Sequence, residues 1–332
     1  MAVIGLGRFS KPHLECLRHL SDVSVVSVCD VDAEKVDTVA AQWHCKGYLN
    51  FEKMLESEEL DCAIVLTPEG QHVSPVLAAL EAGVNVFVEK PLATDVESAT
   101  TMVKKAEEVK ALFMVGHTLR FDPRYFHIKT AIVAGTFGAL RSLYARRNNG
   151  SRYFDLYRRT HPVFVLGIHD IDLFHWYTGA SVQEVYGCTT GDLGSPDMVW
   201  AMLKFSNGCV GVIENTWLVP DGAPSFMDAH LEVIGNRSIA QVQDPDQSLI
   251  VWDPSTSTAP PLFGQMAVHG GFVGPLWQEI RHFFDCVRRG TQSDILSPHD
   301  ALAAVRVAQA IVESSRMGRP VSIDSIEEWR CN

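Results

Sequence analysis

Three short segments carry residue types whose spacing can do chemistry. The first, VIGLGRFS, ends the opening apolar run with Gly5 and Gly7 and places Ser10 where a third small residue is needed. A strand that turns through glycines into a helix makes a pyrophosphate site. Gly5 permits the tight turn, Gly7 lets the backbone approach the phosphates, and the helix N-terminus presents unpaired N–H groups and a partial positive charge. Arg8 and Phe9 ride on that loop, and Ser10, in place of the third glycine of G-x-G-x-x-G, is small enough for close helix–strand packing. Asp30 follows the second apolar run, 20 residues beyond Ser10. A carboxylate there accepts hydrogen bonds from ribose hydroxyls and repels a 2′-phosphate, which favours NAD over NADP.

The second segment, VFVEKPL at 86–92, is an apolar strand ending in Glu89-Lys90-Pro91. Proline cannot continue a paired strand and biases Lys90 towards an extended conformation. An ammonium there stands on the edge where ligands of doubly wound sheets bind, although position alone would make it a solvated surface charge. The third, GIHDIDLFHWYTG at 167–179, has helical spacing that puts His169 on one face with Asp172, Leu173 and Trp176. Histidine titrates near neutrality and can exchange a proton with a hydroxyl, or it can be a core residue satisfied by a carbonyl. His169, Asp172 and His175 do not read as a metal set, because His175 lies about 600° round the helix from His169. The stretch RRNNGSRYFDLYRR at 146–159 holds five arginines against one aspartate. Their forks suit carboxylate or phosphate groups, and ion pairs at a subunit surface are the equal alternative.

These residues need elements to position them. The first third alternates apolar runs (AVI, VSVVSVC, CAIVLT, NVFVEK, LFMVG) with amphipathic stretches such as SPVLAALEAG, which closes on Gly83. That alternation predicts an α/β domain over 1–119, a doubly wound parallel sheet of Rossmann type. After Gly116 the rhythm changes to a helix at about 123–134, the strand LRSLYARR, the arginine loop and a helix around 168–177. Strands then flank Ser206-Asn207-Gly208 and Gly235-Asn236, both hairpin signals. Helices start near Pro275 and near Pro298, the latter with Ser297 as N-cap. Residues 120–332 therefore read as an α+β domain with a large, mostly antiparallel sheet covered by helices on one face.

Composition agrees with two globular cores: 332 residues, 46% hydrophobic and 20% charged. No apolar run nears the roughly 18 residues of a membrane span, and the N-terminus reads as a strand rather than a secretory leader. The net charge of −12 disfavours a nucleic-acid partner. Eight cysteines show neither C-x-x-C nor zinc-ligand spacing and read as reduced thiols of a cytoplasmic protein.

The stretch LTPEGQHVSPVLAALEAGVNVFVEKPLA, with GLGRF and VGHTLRFDP, resembles the Gfo/Idh/MocA oxidoreductase family over most of the first domain. The resemblance reaches the second domain through GIHDID, which is similar to the family's G-x-H-x-x-D. It implies an NAD-dependent enzyme transferring a hydride between nicotinamide and a secondary hydroxyl or ketone of a sugar, sugar derivative or cyclitol. It places Lys90 beside the nicotinamide and the substrate hydroxyl, and His169 facing that hydroxyl as general acid/base. Gly5, Gly7, Arg8, Phe9, Ser10, Asp30, Thr67, Pro68, His72, Glu89, Lys90 and Arg120 form the implied cofactor set, with Arg120 and Phe121 where the domains join in relatives. Arg152, Tyr153, His161 and Asp172 are the expected substrate-side residues, and no metal is expected. Many relatives carry an aspartate four residues before the histidine. This chain has Val165, so a Lys–Asp–His set becomes a Lys–His pair. Relatives commonly associate through the outer face of the C-terminal sheet, which implies a homodimer or homotetramer.

On this reading Lys90 polarises the hydroxyl and stabilises the developing alkoxide, with His169 as base. Relatives differ over which of the two takes the proton. The expected partner is a small sugar-like molecule, anionic in view of the arginines. Two other activities use the same fold: an NAD-recycling glycosidase working by transient oxidation and elimination, and a non-catalytic dinucleotide-binding regulator.

Overall fold

The computed structural model describes residues 1–192, 194–245, 251–252, 257–258, 266–268 and 271–324. The chain divides into two compact units, Met1–Phe121 with Gly264–Leu302, and Asp122–Phe263 with Ala303–Asn332.

The first unit is built on β1 (Ala2–Ile4), β2 (Ser27–Cys29), β3 (Lys46–Tyr48), β4 (Cys62–Val65), β5 (Asn85–Glu89) and β6 (Phe113–Gly116). They pair in parallel in the order β3-β2-β1-β4-β5-β6. This is the dinucleotide-binding order, with its switch point between β1 and β4. Every residue of β1, β2, β4 and β6 is buried, as expected of parallel strands covered on both faces. The crossovers are α1 (Ser10–Arg18), α2 (Ala33–Trp43), α3 (Phe51–Ser57), α4 (Val73–Glu81) and α5 (Val96–Val109). Asp32, Asn50 and Asp95 cap α2, α3 and α5 by accepting N–H groups that have no partner inside the helix.

The second unit begins with α6 (Pro123–Val133), β7 (Leu140–Asn149), α7 (Phe154–Tyr157) and a π-helical turn (Val163–Gly167) that runs into α8 (Ile168–Thr178). It continues through β8 (Val182–Asp192), β9 (Ser195–Phe205), β10 (Val210–Thr216), β11 (Met227–Gly235) and β12 (Ile239–Asp244), then a ribbon of β13 (Val251–Trp252) and β14 (Ser257–Thr258). The chain then returns to the first unit through a second ribbon, β15 (Met266–Val268) with β16 (Gly271–Val273), and α9 (Pro275–Arg289), before α10 (Pro298–Met317) and β17 (Val321–Ser322). The larger sheet has the order β12-β11-β7-β10-β9-β8-β17. All its pairings are antiparallel except β7 with β10. Val199, Ala201, Leu203 and Phe205 of β9 are buried while Trp200 and Met202 are exposed. Phe174 of α8 packs on Gly211 and Ile311 of α10 lies over Gly187, so helices cover one face as expected.

The expected division needs one correction. The first crossing, at 121–122, lies close to the expected boundary, but residues after 120 do not all belong to the second unit. The segment Gly264–Leu302 returns to the first. Ile280, Phe283 and Phe284 of α9 share one apolar cluster with Val3, Ile64 and Phe87. Helical spacing shows that α9 is amphipathic but not which core its apolar stripe faces.

Candidate active site

The glycine loop has the form a pyrophosphate needs. Gly5 has φ +97°, and a Cβ there would lie 2.6 Å from the Leu66 carbonyl carbon, so only glycine fits. Gly7 meets nothing within 4 Å and leaves the backbone open. Ser10 is buried, and its Oγ donates to the Gly7 carbonyl at 2.7 Å, so serine closes the loop where a glycine would only leave room. α1 has no side-chain N-cap and no acidic residue in its first turn, so its dipole is uncompensated. Arg8 and Phe9 beside it are exposed. Asp30 is pinned in place: Oδ2 accepts the Leu6 N–H at 2.6 Å and Oδ1 the Asp32 N–H at 3.0 Å. A carboxylate has lone pairs beyond these two, enough for ribose hydroxyls. The loop, the bare helix end and Asp30 together fit NAD.

Lys90 follows the last residue of β5, and its turn is held from two directions. His72, 1% exposed, spans from the Thr67 carbonyl (Nε2, 2.9 Å) to the Pro91 carbonyl (Nδ1, 2.9 Å). Burial pushes its pKa down. Thr67 Oγ1 donates to the Gln71 carbonyl at 3.1 Å, while Pro68 stays exposed at the loop tip. Glu89 is buried: Oε2 accepts the Lys90 N–H at 3.1 Å and Oε1 lies 2.8 Å from His13 Nε2. Burial pushes the Glu89 carboxyl up, but the His13 hydrogen bond and charge, with the Lys90 charge, outweigh it and hold the group below the usual range. His72 and Glu89 thus brace the turn. Arg120 is also buried, its Nη1 donating to the Ile295 carbonyl (2.7 Å) and to Asp300 (2.8 Å) of the returning segment.

In the second unit, His169 is half-buried in the first turn of α8, just after the π-helical turn. The next residue, Asp170, anchors that end of the helix. Its carboxylate takes three contacts from Arg147 of β7, Nη2 at 2.7 Å and Nε at 3.2 Å to each oxygen. Burial alone would lower the Arg147 guanidinium, but Asp170 more than offsets this and raises it. Gly167 is small because a Cβ there would overlap Asn215 Oδ1. Asp172 is 1% exposed. Val165 packs with Leu166 and Trp217, flanked by Tyr153, Phe154 and Tyr157.

The arginine-rich stretch is divided by the structure. Arg146 and Arg147 belong to β7, where Arg146 pairs with Asp228 at 2.9 Å and Arg147 with Asp170. Arg152, Arg158 and Arg159 lie over the rings of Tyr153, Phe154 and Tyr157 at 5.0, 5.4 and 5.8 Å. His161 Nδ1 accepts the Val163 N–H at 3.3 Å, and burial pushes its pKa down to about 4. Sequence reasoning missed His13 and the Arg147–Asp170 pair. The one signal for His13 was its place on the apolar stripe of α1 with Ser10, Leu14 and Leu17, where a polar residue calls for a buried partner. Among the described residues no group of three or more His, Cys, Asp or Glu could hold a metal.

Comparisons with known proteins agree with this geometry. Residues 1–117 match the family model described as "Oxidoreductase family, NAD-binding Rossmann fold", and residues 125–241 match the GFO/IDH/MocA C-terminal domain. The scyllo-inositol 2-dehydrogenase (NAD(+)) of Bacillus subtilis is 28% identical over 97% of this chain and 96% of its own. The 4-carboxy-2-hydroxymuconate-6-semialdehyde dehydrogenase of Sphingobium is 31% identical over 63% of this chain and 69% of its own. The crystal structure of myo-inositol 2-dehydrogenase from Lactobacillus plantarum superposes with a TM-score of 0.86 at 24% identity, covering 97% of this chain and 98% of that one. The chain belongs to the Gfo/Idh/MocA family and is an NAD-dependent oxidoreductase.

Proposed function

We propose that this oxidoreductase acts on a secondary carbinol of a sugar-derived or cyclitol-like ring, with Lys90 and His169 handling the hydroxyl. The observation that carries the reading is the bracing of Lys90 at the carboxyl edge of the nucleotide-binding sheet by His72 and Glu89. When bound, the nicotinamide accepts or returns the hydride at the substrate carbon. The chain's own task is to hold the oxygen and move its proton. The Lys90 ammonium stabilises negative charge as it develops on that oxygen. His169 takes the proton in oxidation and returns it in reduction. Gly5, Gly7, Ser10 and Asp30 would hold the pyrophosphate and ribose, with Thr67 and Pro68 beside them.

The relatives' names bracket the substrate, from scyllo-inositol to a carboxylated semialdehyde. We favour the less hydroxylated side of that range. Val165 lies four residues, about one helical turn, before His169 and sits in an apolar cluster with Trp217, on which Tyr157 stacks at 5.3 Å. Val165 itself offers a free hydroxyl no hydrogen bond. Arg152, Arg158 and Arg159 support an anionic group on the substrate. The seven described cysteines are free thiols, which supports a cytoplasmic setting. The exposed Tyr186, Trp200 and Met202 on the outer face of the large sheet support a homodimer or homotetramer.

The test is a panel of cyclitols, sugars, sugar acids and nucleotide sugars with NAD, read by NADH absorbance. Lys90→Ala should lower turnover at least about 1000-fold while NAD affinity stays within about threefold. A near-normal rate would sink the assignment. Sustained NADH release separates this activity from a cofactor-recycling glycosidase, and no reduction across the panel would favour the regulator.

A further inference from the structure

The buried polar pair linking α1 to β5 has no counterpart in the chemistry described so far. His13 is fully buried on the inner face of α1, three residues past the serine that closes the glycine loop. Its Nε2 meets Glu89 Oε1 at 2.8 Å, across 76 residues of sequence. The other oxygen of the same carboxylate accepts the Lys90 backbone N–H. One side chain thus joins the helix that begins at the nucleotide loop to the backbone of the lysine. The surroundings make room for it: Phe87 packs against the His13 ring at 5.8 Å, and Gly116 of β6 leaves the Glu89 carboxyl 3.4 Å from where a Cβ would stand. A buried carboxylate is costly unless it is fully paired, and an apolar pair of similar size would build this core more simply.

We propose that His13 and Glu89 are positioning residues that lock Lys90 to the nucleotide-loop helix and fix the charge of its ammonium. The inference rests on the role given to Lys90 above. The charged and titratable groups around the carboxylate are His13 from α1, Lys90 itself, and His72 from the loop before α4, which also feels the Glu89 charge. On α9, Glu279 is taken by Thr118 Oγ1 at 2.7 Å. Glu89 is thus the anion that acts on Lys90 from within the strand end. With Glu89 ionised, His13 Nε2 must carry a proton and donate it.

The test reads Lys90 directly and needs no substrate. Competitive acetylation of the intact protein across a pH series, followed by peptide mass spectrometry, gives the midpoint at which the Lys90 amine becomes reactive. Glu89→Gln keeps the shape and removes the charge, so the midpoint should fall by about one pH unit. His13→Phe keeps the ring on Phe87 but removes the donor; it should shift the midpoint the same way, and the double variant should go no further than either single change. Circular dichroism checks that each variant is folded, and NAD titration calorimetry checks that His13→Phe still binds nucleotide within about threefold of the parent. An unchanged midpoint in folded Glu89→Gln overturns the proposal. Should Glu89→Gln not fold, an unchanged midpoint in His13→Phe overturns it equally. If Lys90→Ala retains turnover yet the midpoint shifts, the positioning claim stands and the catalytic role of Lys90 fails, so the two are distinguishable.

Discussion

Val165 stands where the family resemblance implies an aspartate, and its effect is chemical before it is structural. A valine cannot accept a hydrogen bond, so a substrate hydroxyl placed against it is desolvated without return. Val165→Asp should therefore raise kcat/KM for scyllo-inositol by about tenfold or more, measured by NADH production. Equal or lower activity would show that the valine is not what limits polyol use. His161 makes a different prediction. Its pKa is pushed from 6.5 down to about 4 by burial, and its Nδ1 already accepts the Val163 N–H. The unfolded chain therefore takes up a proton below 6.5 that the folded chain resists. Its share of stability is present above that pH and is lost as the pH falls from about 6.5 towards about 4, at most about 3 kcal/mol. Urea unfolding at pH 7 and pH 5 should show this loss, and His161→Gln should flatten it.

At the scale of elements, the start of α8 depends on one buried pair. Arg147 of β7 and Asp170 are both under 10% exposed in their side chains, and together they fix the helix turn that carries His169. Removing one partner leaves a buried charge, so Arg147→Met should cost about 3–5 kcal/mol in urea unfolding. Arg147→Met with Asp170→Leu should recover most of that stability, since neither charge is then stranded. A double variant no more stable than Arg147→Met would show that the pair is not the anchor. This pair also marks what the sequence could tell. GIHDID announces a helix with a histidine on one face, and an arginine run announces cation chemistry. Nothing local says that one of those arginines is buried against that helix, because the partners are 23 residues apart and only the β7 register brings them together. Where spacing was the whole signal, as for Gly5, Gly7, Ser10 and Asp30, the structure has a loop of the expected form. Where a side chain needed a distant partner, as for His13 and Arg120, the sequence showed at most that a partner must exist.

For the whole molecule, the large sheet presents Tyr186, Trp200 and Met202 on the face away from α8 and α10, each more than 40% exposed. We propose this face as the surface through which the chain associates. Light scattering after size exclusion should give a dimer or tetramer, and Trp200→Glu with Met202→Glu should yield monomer that still binds NAD. The parallel sheet was legible from the alternation of apolar runs and helices. The return of α9 was not, because helical spacing reports a stripe and never its destination. That return also has a consequence for how the protein is made. The ribosome releases residues 1–121 long before Phe283 and Phe284, which finish their apolar core. The nucleotide-binding unit therefore cannot close as each segment emerges. It must wait, partly exposed, until residues as far as Leu302 have been synthesised. Slowing translation beyond residue 121 should therefore increase its aggregation.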